Sequence, residues 1–172
     1  MTIVELIRAF GRDLPVGILI TDASIERPGP IIVYANSAFG RLVGRDPDEI
    51  IGQSPRFMQG KETRQATLDA FHRALRAGER FHGYLTNYRG DGTKYRAEID
   101  CRPLRNVCGE IEGFISFERE VARRIGRPFE SRGGRYEAIS ISNDLLGDAL
   151  RSLGVFSSGD ANSRPPQSAA LF

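Results

Sequence analysis

Residues 81–104 read FHGYLTNYRGDGTKYRAEIDCRPL. Gly90-Asp91-Gly92 is a hairpin turn signal between two β-rich runs, Phe81–Arg89 and Tyr95–Leu104. The second run alternates strictly. Tyr95, Ala97, Ile99 and Cys101 fall on one face, and Arg96, Glu98, Asp100 and Arg102 on the other. Period two with this contrast predicts one face on a core and one in water.

Downstream, Asn106–Glu110 turns the chain into a third strand, Ile111–Val121. Ile111, Ile115, Phe117 and Val121 are expected on one face of it, with Phe114, Ser116 and Glu118 on the other. Both faces carry large apolar groups, so both need cover. One closes the core, and the other calls for a helix or a partner. Residues 122–141 are basic and Gly-rich and read as a linker. Asn143 then caps an apolar-striped helix within 142–154, too short to stand alone in water. Residues 155–172 have the composition of a disordered tail.

Upstream, Leu68, Phe71 and Leu75 stripe a helix over 63–77 that Gly78 stops. Asp46-Pro47-x-Glu49 is a helix start, and Asn36 or Ser37 caps a shorter helix with Phe39, Leu42 and Val43. Val16–Asp22 and Ile31–Ala35 are strands. Thr2-x-x-Glu5 forms a capping box, with Ile3, Leu6, Ile7 and Phe10 at helical spacing, so residues 1–14 hold an amphipathic helix. The sum is an α+β domain over 15–121, a five-stranded antiparallel sheet with helices on one face and flanking helices at either end. Between the short helices and the long one lies GQSPRFMQG, residues 52–60. Pro55 suits neither helix interior nor strand, and Arg56 and Gln59 stand one turn apart, able to face the same ligand or the same carbonyls.

The bulk numbers narrow the function. Of 172 residues 40% are hydrophobic and 27% charged, ordinary for a globular domain, and a net charge of +2 gives no nucleic-acid footprint. No apolar run has the length of a membrane span and no signal-peptide layout opens the chain, which reads as cytoplasmic. Cys101 and Cys108 form no disulfide framework. His72 and His82 have no metal-ligand spacing. Without a nucleophile elbow, zinc motif or phosphate loop, the expectation is no enzyme and no metal.

The motifs Ile20-Thr21-Asp22, Ile32-Val33-Tyr34-Ala35-Asn36-x-x-Phe39, Gly52-x-x-x-Arg56-Phe57-x-Gln59-Gly60, Asn87-Tyr88-Arg89-x-Asp91-Gly92 and Phe114-Ile115-x-x-x-x-x-Val121 together resemble the PAS superfamily. More narrowly, residues 15–121 resemble its LOV branch, the flavin-binding blue-light sensors. The resemblance implies that Pro55 stands where a LOV sensor has the cysteine that bonds to the excited flavin. Pro has no nucleophile, so adduct photochemistry is excluded. Of the family's ring-edge amides, Asn87 remains, Ala97 replaces a second and Glu118 a third. An ionised Glu only accepts, a mismatch to a flavin carbonyl unless burial keeps it protonated. Ser54 is shorter than the family's Asn. On the phosphate side Arg56 and Gln59 persist, while His72 aligns with the family's second arginine. Each lost buried hydrogen bond costs about 1 kcal/mol, which places a cofactor-free module first.

Two readings follow. The first is a stand-alone PAS regulator in a bacterial pathway that acts through protein contacts, with a histidine kinase or another PAS protein as partner. It forms a homodimer through Ile111, Ile115 and Phe117 together with Ile3, Leu6 and Phe10. The alternative is a small-molecule sensor holding FMN or FAD without a covalent bond, through Arg56, Gln59, Asn87, Glu118 and Ser54, or another ligand in the same pocket. The bland reading of the same side chains is an ion pair for Arg56, a helix end for Gln59 and a strand-edge backbone partner for Asn87.

Overall fold

A computed structural model describes residues 3–123 and 136–138. The expected helix 142–154 and the tail lie outside these residues. In chain order the elements are α1 (Ile3–Gly11), β1 (Gly17–Asp22), β2 (Ile32–Ala35), α2 (Ser37–Val43), α3 (Pro47–Ile50), a 3-10 helix (Pro55–Met58), α4 (Gln65–Ala77), β3 (Phe81–Tyr88), β4 (Lys94–Arg105), β5 (Ile111–Arg123) and β6 (Tyr136–Ala138). Five strands pair antiparallel in the order β2-β1-β5-β4-β3. β6 adds to the far end of β5, where Val121 faces Ala138 and Arg123 faces Tyr136. The expected linker thus contains the end of one strand and a return strand. Tyr136 packs its ring 4.7 Å from that of Tyr84, a contact that composition over 122–141 does not reveal.

Local chemistry accounts for the element ends. Asp46 accepts from the Asp48 N–H and precedes Pro47 at the first helical position. Gly78 closes α4 at φ 65, which a residue with a Cβ adopts at a cost. Asn36 does more than cap α2. Its Oδ1 accepts from the Phe39 and Ile18 N–H groups at 2.9 Å, and its Nδ2 donates to the Gly11 and Val16 carbonyls at 2.8 Å. One buried amide therefore joins the end of α1, the entry to β1 and the start of α2.

The sheet carries apolar clusters on both faces. On the inner face Leu75, Phe81, Leu85, Tyr95, Ala97, Ile99, Cys101 and Phe114 pack together, with Phe71 stacked on Phe81 at 4.3 Å. Beside them Leu19, Ile32, Phe39, Val43, Ile50 and Met58 form the core under α2 and α3. On the outer face Ile7 of α1 packs with Val16, Ile18, Ile20, Leu104 and Ile115. The polar half of that face is an ion ladder. Arg80 and Arg102 both bind Asp100, and His82 and Arg119 both bind Glu98. Hydrogen bonding from His82, with that from Arg119 and against the opposing effect of burial, holds the Glu98 carboxyl down at about 2.

The interaction surface expected from sequence changes here. Ile115 has no exposed area, because α1 of the same chain covers it. Phe117 packs at the margin of that cluster. Ile111 is on the other side altogether. A register shift between Leu104 and Arg105 turns it inward, and it packs with the Leu75–Phe81 cluster. Of the α1 residues, Leu6 is half-buried, Phe10 is 63% exposed, and the Ile3 side chain lies outside the described residues. Ile115 of β5 and Ile7 of the N-terminal helix thus pack together within one chain, while Phe10 stays exposed. Ile115→Ala should consequently cost about 2–5 kcal/mol in urea unfolding. A cost under about 1 kcal/mol would contradict this packing.

Candidate functional site

The inner face of the sheet does not meet the helices everywhere. A cavity of about 620 Å³ lies between them, in the size range of small-molecule sites. Period-two alternation supplies its floor: Leu19 and Thr21 from β1, Leu85 and Asn87 from β3, Ile99 and Cys101 from β4, and Phe114, Ser116 and Glu118 from β5. Ser54, Pro55, Arg56, Met58 and Gln59 come from the 3-10 segment, and Leu68, Phe71, His72 and Leu75 from α4. Glu26, Arg27 and Pro30, from the loop between β1 and β2, also line it, with Gln65 and Asp69.

All five residues named from sequence as ligand contacts, Arg56, Gln59, Asn87, Glu118 and Ser54, line this one cavity. Their roles differ. Glu118 is 3% exposed, and its Oε2 has no hydrogen-bond partner among the described residues. Burial pushes its carboxyl up to about 8, so at neutral pH it is mostly protonated. A protonated carboxyl donates as well as accepts. The mismatch expected of an ionised Glu118 is therefore lifted. Asn87 is 2% exposed, and its side chain has the Met58 sulfur at 4.0 Å, a weak acceptor, and a hydrogen bond with Tyr95. Tyr95 Oη approaches the same sulfur at 3.7 Å. Ala97, by contrast, is closed into the core and forms no part of the cavity wall.

Arg56 takes the second of the two roles its spacing allowed. Its Nε donates to the Gly29 carbonyl at 3.2 Å and its Nη2 to the Ile25 carbonyl at 3.4 Å. His72 Nε2 lies 3.3 Å from that same Ile25 carbonyl. Ser54 caps the 3-10 helix, its Oγ accepting from the Arg56 N–H at 3.5 Å. Pro55 starts that helix, where its missing N–H costs nothing. Gln59 is exposed. Gly60 sits where a Cβ would strike the Tyr88 ring, so a larger residue there would have to displace that ring or the segment.

Cys101 is distant in sequence from residues 52–60, but β4 runs beneath that segment and places the thiol in the same cavity wall. Burial pushes it up to about 12, against a hydrogen bond with Ser116. It is a thiol, not a thiolate, and so a poor nucleophile. Ser116, directly opposite Cys101 in the ladder, was also unforeseen as a wall residue. Among the described residues no cluster of His, Cys, Asp and Glu could hold a metal ion. No helix among them is long and apolar enough to cross a membrane.

A sheet in the order β2-β1-β5-β4-β3, with a cavity between its inner face and the intervening helices, is the frame of a known family, and the family model described as PAS domain matches residues 15–123. The chain belongs to the PAS domain family. This PAS domain is 31% identical over 137 residues to the blue-light-activated histidine kinase of Brucella anthropi, a match covering 80% of this chain and 27% of that protein. It is 29% identical over 144 residues to the bacterioopsin transcriptional activator of Halobacterium salinarum, covering 82% and 21%. The chain thus spans only about a fifth to a quarter of these relatives. Among solved structures, the PAS domain is similar to the LOV domain of the Erythrobacter litoralis blue-light activated histidine kinase, at 25% identity and TM-score 0.57, over 62% of this chain and 96% of that one. An RNA-binding light-oxygen-voltage receptor matches at 27% identity and TM-score 0.61, over 69% and 33%.

Proposed function

We propose that this PAS domain is a small-molecule sensor for a signalling output, and that its ligand is a flavin held without a covalent bond. The observation that carries the reading is Glu118, a buried carboxyl with an unpartnered oxygen in the wall of a 620 Å³ cavity. A polar group is left this way at a cost of about 1–3 kcal/mol unless something bonds to it. The residues present fit the ring of a flavin. Neutral Glu118 and Asn87 offer donors and acceptors to its polar edge, while Leu19, Leu85, Ile99 and Phe114 suit its apolar faces. When bound, such a ring supplies blue-light absorption and reversible redox chemistry. Pro55 offers it no sulfur, and the Cys101 thiol is held protonated. The sensor therefore works without a cysteinyl adduct.

The names of similar proteins, a blue-light-activated histidine kinase and a transcriptional activator, support a regulatory role, and we take this domain to act on a protein partner rather than as a catalyst itself. The cofactor-free module that the sequence placed first leaves the Glu118 oxygen without a purpose, and of its dimer stripe Ile115 is buried with Ile7 of α1 while Ile111 packs on the inner face. The purified full chain should carry a blue absorption band, or acquire one on addition of FMN or riboflavin with quenching of flavin fluorescence. Denaturation should release the flavin intact, and illumination should not bleach it into a thioether. A colourless protein that quenches neither flavin would overturn the flavin ligand, and light-driven bleaching that recovers in the dark would overturn the adduct-free reading.

A further inference from the structure

The ring end of a flavin nucleotide meets suitable residues in this cavity, whereas the side chains available to its phosphate end are partly committed to the chain itself. Arg56 is one of two arginines in the cavity wall, with Arg27, and its guanidinium is partly engaged with the chain itself. Two of its donors hold the Gly29 and Ile25 carbonyls. His72, on the facing helix, converges on the Ile25 carbonyl as well. Arg76 completes the attachment of this loop by pairing with Glu26. Residues 25–29 are thus fastened to both the 3-10 helix and α4, in part by the two cavity-wall side chains Arg56 and His72.

Two of the five Arg56 N–H donors are held by carbonyls, so an anion would meet only those that remain, on a guanidinium whose direction the loop already fixes. Nor does the field favour it. The charged residues of the cavity wall other than the neutral Glu118 are Glu26, Asp69, Arg27 and Arg56, two of each sign, so no net positive potential draws an anion in.

We propose that the cavity selects an uncharged ligand by its ring edge, at Glu118 and Asn87, and that Arg56 and His72 are loop clamps rather than phosphate ligands. This rests on the flavin reading and narrows it to riboflavin-like molecules without a phosphate requirement.

The test is a fluorescence titration of the full chain with riboflavin and with FMN, at low and at moderate salt. The two dissociation constants should agree within about threefold, and neither should move with ionic strength. A charged hydrogen bond to phosphate would instead favour FMN by about tenfold to a hundredfold and weaken as salt rises. That result would overturn the proposal while leaving the flavin reading intact. Binding of neither flavin would overturn both. Arg56→Gln supplies a readout that a phosphate contact would not move. Amide hydrogen exchange over residues 24–31 should accelerate, and the affinities for riboflavin and FMN should shift by the same factor. Selective loss of FMN affinity in that variant would overturn the clamp assignment.

Discussion

Glu118→Gln is expected to stabilise the ligand-free protein by about 3 kcal/mol at pH 7 and to flatten its pH dependence. The sign follows from where the proton sits. Burial raises the folded-state carboxyl from the ordinary 4.5 to about 8, so between those values the folded protein holds a proton that the unfolded chain has released. Stability is complete below about pH 4.5 and falls as pH rises, levelling off above about pH 8. Two and a half pH units at about 1.36 kcal/mol each separate the ordinary value from pH 7, which gives the figure above. Gln cannot ionise, so it escapes this loss while keeping a donor and an acceptor of similar shape. The same substitution should preserve flavin binding and remove its decline at alkaline pH, where the carboxylate form of the wild type can no longer donate. Urea unfolding of both proteins from pH 5 to 9 checks this. Equal stability of the two at pH 8, with a flat profile in the wild type, would mean that Glu118 is hydrated or paired in solution.

The second large effect is at Asn36. Its side chain makes four hydrogen bonds to backbone groups of three elements, and it is 2% exposed. Asn36→Ala removes all four at once. It leaves the Ile18 and Phe39 N–H groups and the Gly11 and Val16 carbonyls to find other partners in a dry environment. At about 1 kcal/mol per net bond, with more for each group left unsatisfied, the loss should be about 3–5 kcal/mol, beyond the ~1 kcal/mol of an ordinary N-cap. Because Gly11 ends α1, detachment of that helix should accompany the loss and expose Ile115. Hydrogen exchange on β1 and β5 reports it directly. A cost no greater than that of a simple cap would show that the amide is not the joint between α1 and the sheet.

These two residues also mark the limits of what can be read in one dimension. Periodicity and local caps are properties of neighbouring residues, so the β3–β4 hairpin, the inward set Tyr95, Ala97, Ile99 and Cys101, the Asp46-Pro47 helix start and the Gly78 stop are all legible in the sequence. So is the set of five ligand-contact residues, which the resemblance to the LOV branch singles out and which all line the cavity. The remaining features depend on contacts between distant parts of the chain. A one-residue bulge near Leu104 moved Ile111 to the opposite face, which strict alternation cannot anticipate. Cover for Ile115 came from α1, about a hundred residues earlier in the chain. The partners of Arg56 are carbonyls of a loop 27 and 31 residues away, and Cys101 joined the site because β4 passes beneath the 3-10 helix. The charge state of Glu118 was decided last of all. Its residue type and its face were written in the sequence, but the proton it retains comes from desolvation, which exists only once the sheet and helices have closed around it.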